Sequence, residues 1–185
     1  MHNHPPALII IGGFAGTGKS TVARRLSTDF CVPRLGSDQI GRAVKMSAGC
    51  KQADIDGQRI AYDVLFRLCE EFIGSGVSVI LDMTMGWAFQ WRQTDAILSR
   101  HPDTLCLPLI LRCSSERYMA RIQQRHAAHP AYYDAPDVYT SDQRILDIRQ
   151  FLKALDRPEV HFIDAEPEAD QVYETVRSCL TEMMK

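Results

Sequence analysis

The residues of this chain with the clearest chemical meaning form the run Gly13–Ser20, which reads GFAGTGKS. It fits the pattern G-x-x-x-x-G-K-[ST], in which glycines let consecutive backbone N–H groups turn inward around phosphate oxygens. In this pattern the lysine reaches the β- and γ-phosphates of a nucleotide, and the serine hydroxyl is a ligand for Mg²⁺. The run therefore predicts a nucleoside triphosphate site formed by Gly13, Phe14, Ala15, Gly16, Thr17, Gly18, Lys19, Ser20 and Thr21.

The elements that must position this run are present on both sides of it. The apolar segment Ala7–Ile11 precedes the run and predicts a buried strand, and Thr21–Leu26 follows it and predicts a helix. A helix that begins near Gly18 directs its positive dipole end and its unpaired N–H groups at a bound anion. The context is therefore the strand, loop and helix that phosphate binding requires.

Two aspartates follow other predicted strands. Asp38 comes after Val32–Gly36, and Asp82 ends the apolar run Val77–Leu81. Ligands of open α/β sheets bind beyond the carboxyl ends of the strands, so both carboxylates are expected to face the γ-phosphate. Asp38 is the candidate that takes the proton of an acceptor hydroxyl, or else it caps the next helix. For Asp82 three roles stay open: binding Mg²⁺ directly or through water, contacting the substrate, or simply ending a strand.

Three arginines recur every fourth residue at positions 117, 121 and 125, which places them on one face of a predicted helix. Such a stripe is either a solvated basic surface or a binding surface for an anion. The segment that follows, residues 126–140, contains two prolines and three tyrosines without a period and predicts a loop. With a phosphate loop in the same chain, we expect a lid of about 121–141 that brings Arg121 and Arg125 to the phosphates.

The composition favours one cytoplasmic domain that spans residues 1–185. The chain has a formal net charge of -2 and is 45% hydrophobic, which suits a single core and gives no overall attraction to nucleic acid or to membranes. Six cysteines lack C-x-x-C spacing, and no apolar run has the length of a signal or a membrane span. The sequence leaves both a monomer and a homodimer open.

Strand and helix patterns alternate along the whole chain, so the expected fold class is α/β, with five parallel strands and helices on both faces. Helical spacing of apolar residues covers 55–73, the segment after Trp87, the segment from Ser114 to Arg125, residues 145–155 and residues 168–182. Further apolar strands are expected at Leu105–Leu111, which Pro108 weakens or bulges, and at Val160–Ile163.

Taken together, these motifs resemble the small P-loop kinases of the nucleoside monophosphate kinase type. They are similar to AAA_33-type ATP-binding proteins, polynucleotide kinase domains, chloramphenicol phosphotransferase and zeta toxins. The resemblance rests on the phosphate loop, Gly-Ser-Asp at 36–38, Val-Ile-Leu-Asp-Met-Thr at 79–84, Arg121 and Arg125, Ser141-Asp142, and Phe-Ile-Asp at 162–164.

This resemblance implies a three-layer P-loop NTPase fold with strand order 2-3-1-4-5. It also implies that Asp38 is the general base or hydroxyl ligand, that Arg121 and Arg125 are lid arginines on the phosphates, and that adenine lies near Ser141-Asp142 and 165–167. Many relatives have an arginine three residues after the aspartate, whereas this chain has Gly41 there and Arg42 one position later. This departure weighs against a nucleic-acid acceptor.

The leading hypothesis is an ATP- and Mg²⁺-dependent kinase that phosphorylates a hydroxyl group of a small molecule. One alternative is a polynucleotide 5′-hydroxyl kinase, for which the four arginines and single glutamate between Arg112 and His126 are the basic surface. Another is a nucleotide-gated switch, which needs neither an acceptor base nor a lid that excludes water. The sequence names neither the acceptor nor the preferred nucleobase.

Overall fold

Helices and strands alternate along the described part of the chain. The computed structural model describes residues 4–47, 57–130, 135–139 and 155–184. In chain order its elements are β1 (Ala7–Gly13), α1 (Lys19–Phe30), β2 (Arg34–Gly36), α2 (Ser37–Met46), α3 (Gly57–Gly74), β3 (Val79–Asp82), α4 (Ala88–Arg100), β4 (Leu105–Arg112), α5 (Ser115–Ala128), a 3₁₀ turn (Pro136–Tyr139), β5 (His161–Asp164) and α6 (Ala169–Met183). The helix expected at 145–155 falls almost wholly outside the described residues.

The five strands form one parallel sheet in the order β2-β3-β1-β4-β5, which confirms the predicted fold. Strand β1 lies in the middle, and all seven of its residues are buried. A strand covered on both faces reads as a continuous apolar run rather than an alternating one, which is why Ala7–Ile11 could be recognised from sequence.

Proline 108 occupies a position in β4 that tolerates it. The strand continues through Pro108, which lies beside Ile10 of β1 in regular register. Strand β5 pairs with β4 from Leu109 onward, so in the described part of the chain no strand residue pairs with Pro108 on that side of β4. Because proline lacks an N–H donor, it is accepted where a strand is locally an edge, and β4 needs no bulge there.

Alternate residues of β1 enter two separate cores. Leu8 and Ile10 pack with α3 and α4 on one face, and Ile9 and Ile11 pack with α1 and α6 on the other. Burial of each such side chain contributes about 1.5–3 kcal/mol, so the two cores hold the sheet between two helical layers. The sheet is therefore a rigid support for whatever lies at its edges.

The carboxyl edge of the sheet gathers the strand ends that carry the predicted site. Asp82 at the end of β3 lies beside Gly36 of β2 and Ile11 of β1. Helix α2 begins directly after Gly36 and packs against α3. In the described residues, no helix is long and apolar enough to cross a membrane.

Candidate nucleotide and phosphoryl-transfer site

The glycines of the phosphate loop are required by backbone conformation and by close packing. Gly13, Gly16 and Gly18 have φ angles of 141°, 82° and 94°, in the region that side chains disfavour. A Cβ atom at Gly16 would lie 2.6 Å from the carbonyl oxygen of Tyr118 in α5. Helix α5 can therefore pack directly against the loop only because residue 16 has no side chain.

Hydrogen bonds hold the loop in shape without a ligand. The Thr17 hydroxyl donates to the carbonyl oxygen of Phe14 at 2.8 Å, and the Gly13 N–H donates to the carbonyl oxygen of Thr84 at 3.2 Å. The second bond joins the loop to the segment that follows β3. Helix α1 starts at Lys19 with Gly18 as its N-cap, and no side chain caps it. Its first N–H groups are thus directed at the space in front of the loop.

That space is a cavity of about 420 Å³ that brings together all the charged residues predicted for the site. Lys19 lies in its wall with only 8% of its surface exposed. Lysine and arginine residues outnumber carboxylates in the lining: the cations are Lys19, Arg24, Arg34, Arg42, Arg121 and Arg125, and the carboxylates are Asp38, Asp82 and Glu168. A cavity with this excess of positive charge suits a polyanion such as a triphosphate.

Asp82 is buried at the end of β3 and both of its carboxylate oxygens are engaged. Its Oδ1 accepts a hydrogen bond from Ser20 Oγ at 3.1 Å, and its Oδ2 accepts one from Arg34 Nε at 3.1 Å. Arg34 Nη2 lies 3.0 Å from the same Oδ2. Arg34 was not among the residues predicted from the sequence. The signal available in the sequence was an arginine inside a short strand, two residues before a glycine at the sheet edge.

Asp38 has a different environment from Asp82. It is exposed, lies in the first turn of α2, and lines the cavity beside Gln39. The N-cap of α2 is Gly36, so the alternative in which Asp38 caps this helix is wrong. The positive end of the helix dipole stabilises a carboxylate at this position. Asp38 thus lies at the cavity surface, at the positive end of α2.

Arg121 is anchored by backbone carbonyl groups. Its Nη1 donates to the carbonyl oxygen of Ala165 at 3.0 Å and to that of Thr17 at 3.4 Å, and its Nη2 donates to that of Pro167 at 3.0 Å. These contacts join α5, the phosphate loop and the segment after β5, which the family resemblance associates with adenine. Arg121 thus lies in the cavity wall, where its hydrogen bonds to Thr17, Ala165 and Pro167 all go to carbonyl groups.

The other two arginines of α5 have separate partners. Arg125 donates through Nη2 to the hydroxyl of Tyr139 at 3.3 Å, which links α5 to the 3₁₀ turn. Arg117 forms an ion pair with Glu168 at 2.6 Å, and this hydrogen bond lowers the pKa of the Glu168 carboxyl. The stripe at 117, 121 and 125 therefore divides into an outer ion pair and two residues that line the cavity. Of the predicted lid, 121–130 and 135–139 are described.

The oxygen donors at this edge fit a magnesium ion. Ser20 Oγ and the Asp82 carboxylate are hard oxygen ligands that lie 3.1 Å apart at the start of α1. Among the described residues there is no group of three or more His, Cys, Asp or Glu side chains able to hold a metal. Magnesium suits such a site because it binds through one or two carboxylates together with substrate phosphates.

The parallel sheet of order 2-3-1-4-5 and the glycine-rich loop between β1 and α1 define the α/β P-loop kinase fold. Within this class, the chain belongs to the AAA_33 family, described as an AAA domain, which it matches over residues 8–145. This match confirms the resemblance found in the sequence. Among curated proteins, no sequence is significantly similar to this chain.

Solved structures share this fold over nearly the whole chain. One is a candidate kinase from Chloroflexus aurantiacus J-10-fl, with 19% identity, a TM-score of 0.70 and coverage of 95% of this chain and 98% of that one. A gluconokinase from Sinorhizobium meliloti 1021 has 16% identity, a TM-score of 0.60 and coverage of 97% and 94%. The shikimate kinase of Acinetobacter baumannii, in complex with shikimate, has 19% identity, a TM-score of 0.57 and coverage of 98% and 96%. Because the sequence identities are below 20%, these similarities show only that the proteins share a fold.

Ser141 and Asp142, associated with adenine by resemblance, lie outside the described residues. Two of the aromatic residues after Asp82 belong to the core: Trp91 is buried, and Phe89 packs edge-on against Tyr62 with ring centroids 5.2 Å apart. The buried Trp91 donates its indole N–H to the Met85 carbonyl oxygen and so supports the segment after β3.

Proposed function

We propose that this protein is a kinase that transfers the γ-phosphate of ATP to a hydroxyl group of a small molecule. The observation that carries the proposal is the presence of Asp38 in the same cavity as Lys19 and Ser20. A nucleotide-binding switch needs the loop residues alone, whereas a kinase also needs a carboxylate where an acceptor hydroxyl can approach. Asp38 is exposed and is not the residue that holds Ser20, so it is available for this role.

The transfer follows from the positions of these groups. Lys19, the loop N–H groups and the start of α1 bind the β- and γ-phosphates. Asp38 accepts the proton of the acceptor hydroxyl as its oxygen forms a bond to the γ-phosphorus and the bond from that phosphorus to the β-phosphate oxygen breaks. The products are ADP and the phosphorylated acceptor. Magnesium, held by Ser20 and Asp82 with the phosphates, would neutralise part of the phosphate charge.

Arg121 and Arg125 are the proposed lid arginines of this reaction. Both line the cavity and would neutralise charge that develops on the transferred group. The contacts of Arg121 with the carbonyl groups of Thr17 and Ala165 support an additional role, in which it joins the phosphate loop to the segment next to the nucleobase. Closure of the segment around Tyr139 over the cavity would exclude water from the transfer.

The acceptor class is proposed from the cavity and from the neighbours of this fold. The gluconokinase and the shikimate kinase are named for small molecules that carry hydroxyl groups. In this chain Arg42 lies one helical turn after Asp38 and lines the same cavity, so it is our candidate contact for a polar or anionic group of the acceptor. A cavity of about 420 Å³ suits a ligand of small-molecule size.

The test is transfer of the terminal phosphate of γ-labelled ATP in the presence of Mg²⁺. A metabolite extract and a 5′-hydroxyl oligonucleotide are offered in parallel to the wild type, Lys19→Ala and Asp38→Asn. Asp103→Asn is the matched control, because Asp103 is exposed before β4 at the opposite edge of the sheet. We expect label in a small molecule with the wild type and the control, and little or none with the other two variants.

Three results would contradict the proposal. Label on the oligonucleotide would favour a polynucleotide kinase. Release of free phosphate at the same rate with and without acceptors would favour a nucleotide-gated switch. Full transfer by Asp38→Asn would remove Asp38 from the mechanism and leave the acceptor base unassigned.

A further inference from the structure

Arg34 is a largely buried cation in β2, next to the end of β3. Its side chain is 11% exposed, and that of its partner Asp82 is 3% exposed. Two of its nitrogen atoms, Nε and Nη2, contact the same carboxylate oxygen at 3.1 and 3.0 Å. The other carboxylate oxygen accepts the hydrogen bond from Ser20. Both oxygens of Asp82 therefore have partners before any nucleotide binds.

The backbone around Arg34 is arranged to hold this ion pair. In β2, Arg34 lies beside Ile80 and Gly36 lies beside Asp82, so the arginine extends along the strand toward the carboxyl edge. A Cβ atom at Gly36 would lie 3.2 Å from Arg34 Nη2, closer than most side-chain contacts. The absence of a side chain at residue 36 thus leaves space for the guanidinium group.

The ion pair changes what Asp82 can bind. A buried carboxylate without a counter-ion attracts any available cation, because its own charge is poorly solvated. With Arg34 in contact, that charge is already neutralised, and a divalent ion at Asp82 meets the repulsion of the guanidinium group. Nucleotide phosphates add negative charge and further oxygen ligands, which offset that repulsion. The charge balance therefore favours a divalent cation only together with a nucleotide.

We infer that Arg34 is the internal counter-ion of Asp82, which keeps this carboxylate from binding a divalent cation until the cation arrives with a nucleotide. The inference rests on the proposed function, because it concerns the metal–nucleotide site of that reaction. Arg34 acts through Asp82, so it is a positioning residue that makes metal binding depend on the nucleotide.

The test uses Mn²⁺ as the probe without an acceptor, first with no nucleotide and then with ADP, and the Mn²⁺ that ADP binds without protein is subtracted. Binding to the full-length protein is measured by the loss of the paramagnetic resonance signal of free Mn²⁺. We expect weak binding by the wild type and at least about tenfold tighter binding by Arg34→Met, which removes the charge but keeps a long side chain. Addition of ADP should tighten Mn²⁺ binding by the wild type at least about tenfold, and by Arg34→Met much less, because the two effects share one carboxylate.

Further variants identify the carboxylate involved. The double variant Arg34→Met/Asp82→Asn should bind Mn²⁺ as weakly as the wild type does without ADP. Gly36→Ala keeps the arginine but places a Cβ atom 3.2 Å from its Nη2 and 3.0 Å from Gln39 Oε1, so both side chains must move. It should tighten Mn²⁺ binding by a smaller factor and gives a second test if Arg34→Met does not fold. Arg100→Met is the matched control, because Arg100 pairs with Glu70 near the C-terminal ends of α4 and α3, neither residue lines the cavity, and the change should not alter Mn²⁺ binding.

The inference is overturned if Arg34→Met and Gly36→Ala bind Mn²⁺ no more tightly than the wild type, since a purely structural role for Arg34 predicts no gain in affinity. It is also overturned if the gain persists in the double variant, because the ion would then bind elsewhere. Failure of the proposed function has a separate signature: wild-type protein that binds ADP and Mn²⁺ as expected but phosphorylates no acceptor.

Discussion

Two aspartates follow neighbouring strands in this protein, Asp82 at the end of β3 and Asp38 just after β2, and they differ in burial and in their partners. Asp82 is 4% exposed and is held by Ser20 and Arg34, whereas Asp38 is exposed in the first turn of α2. Both line one cavity. The comparison indicates that burial and partners, rather than residue type or distance from the phosphate loop, assign the role. In the proposed function, the paired carboxylate of Asp82 holds Ser20 and the metal, and the exposed carboxylate of Asp38 accepts the proton.

The largest expected effect is on the rate of phosphoryl transfer, when Asp38 is replaced. Replacing it with asparagine removes the proton acceptor and should lower the rate of phosphoryl transfer by about 10²–10⁴-fold. ADP affinity should stay within about twofold, because the phosphate loop does not include Asp38. Steady-state kinetics and calorimetric titration check the two quantities, with Asp103→Asn as the control. Equal losses of rate and nucleotide affinity would contradict the assignment.

A second effect of comparable size is expected at Asp82, in stability rather than in chemistry. Asp82→Ala leaves Arg34 buried without its partner and should lower the free energy of unfolding by about 3–5 kcal/mol. Asp38→Ala should change it by no more than about 0.5 kcal/mol, because the residue is exposed. Urea unfolding followed by circular dichroism measures both. If the two variants lose similar stability, burial does not distinguish the aspartates.

A smaller effect is expected in a double-mutant cycle at each aspartate. Arg34→Met and Asp82→Asn should be coupled by about 2–3 kcal/mol in unfolding free energy, since the two side chains are in contact and buried. The pair Asp38 and Arg42 is spaced i,i+4 on α2 and should be coupled by only about 0.3–0.5 kcal/mol. Cycles of equal size would mean that the contact of Arg34 with Asp82 is no stronger than an exposed helix pair.

The smallest expected effect concerns cysteine thiols, whose reactivity should also differ between a buried and an exposed residue. Burial raises the pKa of Cys69 to about 12, with smaller contributions from Cys106 and Glu70, whereas Cys31 is exposed. At pH 8 a thiol reagent should therefore modify Cys31 while Cys69 stays unmodified for as long as the protein is folded. Mass spectrometry of peptides after timed labelling identifies the modified residue.

The raised pKa of Cys69 also sets the sign of a pH effect on stability. The folded-state pKa lies above the value of about 9 for an unperturbed thiol, so this contribution to stability is complete below pH 9 and is lost as the pH rises toward 12. Cys69→Ala should consequently reduce the loss of unfolding free energy between pH 9 and 12, by at most about 1.4 kcal/mol per pH unit. An unchanged pH profile would contradict the burial of this thiol.

Much of the fold followed from local patterns. The continuous apolar run of β1 and the helical spacing in α3 predicted elements whose observed limits differ by only one or two residues from those expected. The loop from Gly13 to Ser20 was predicted because its glycines, lysine and serine are adjacent in the chain. The role of Arg34 could not be predicted in this way, because its partner Asp82 is 48 residues away and the contact depends on the register of β2 beside β3.

The sequence alone determined the phosphate loop, the alternation of strands and helices, and which two aspartates follow strands near that loop. These properties depend on backbone preferences and hydrophobic periodicity, both of which act over a few residues. Tertiary structure decided that Asp82 is paired with Arg34, that Asp38 remains exposed, and that Arg121 is anchored by the carbonyl groups of Ala165 and Pro167. Such differences arise from burial and from contacts between distant segments, which no local pattern of residues encodes.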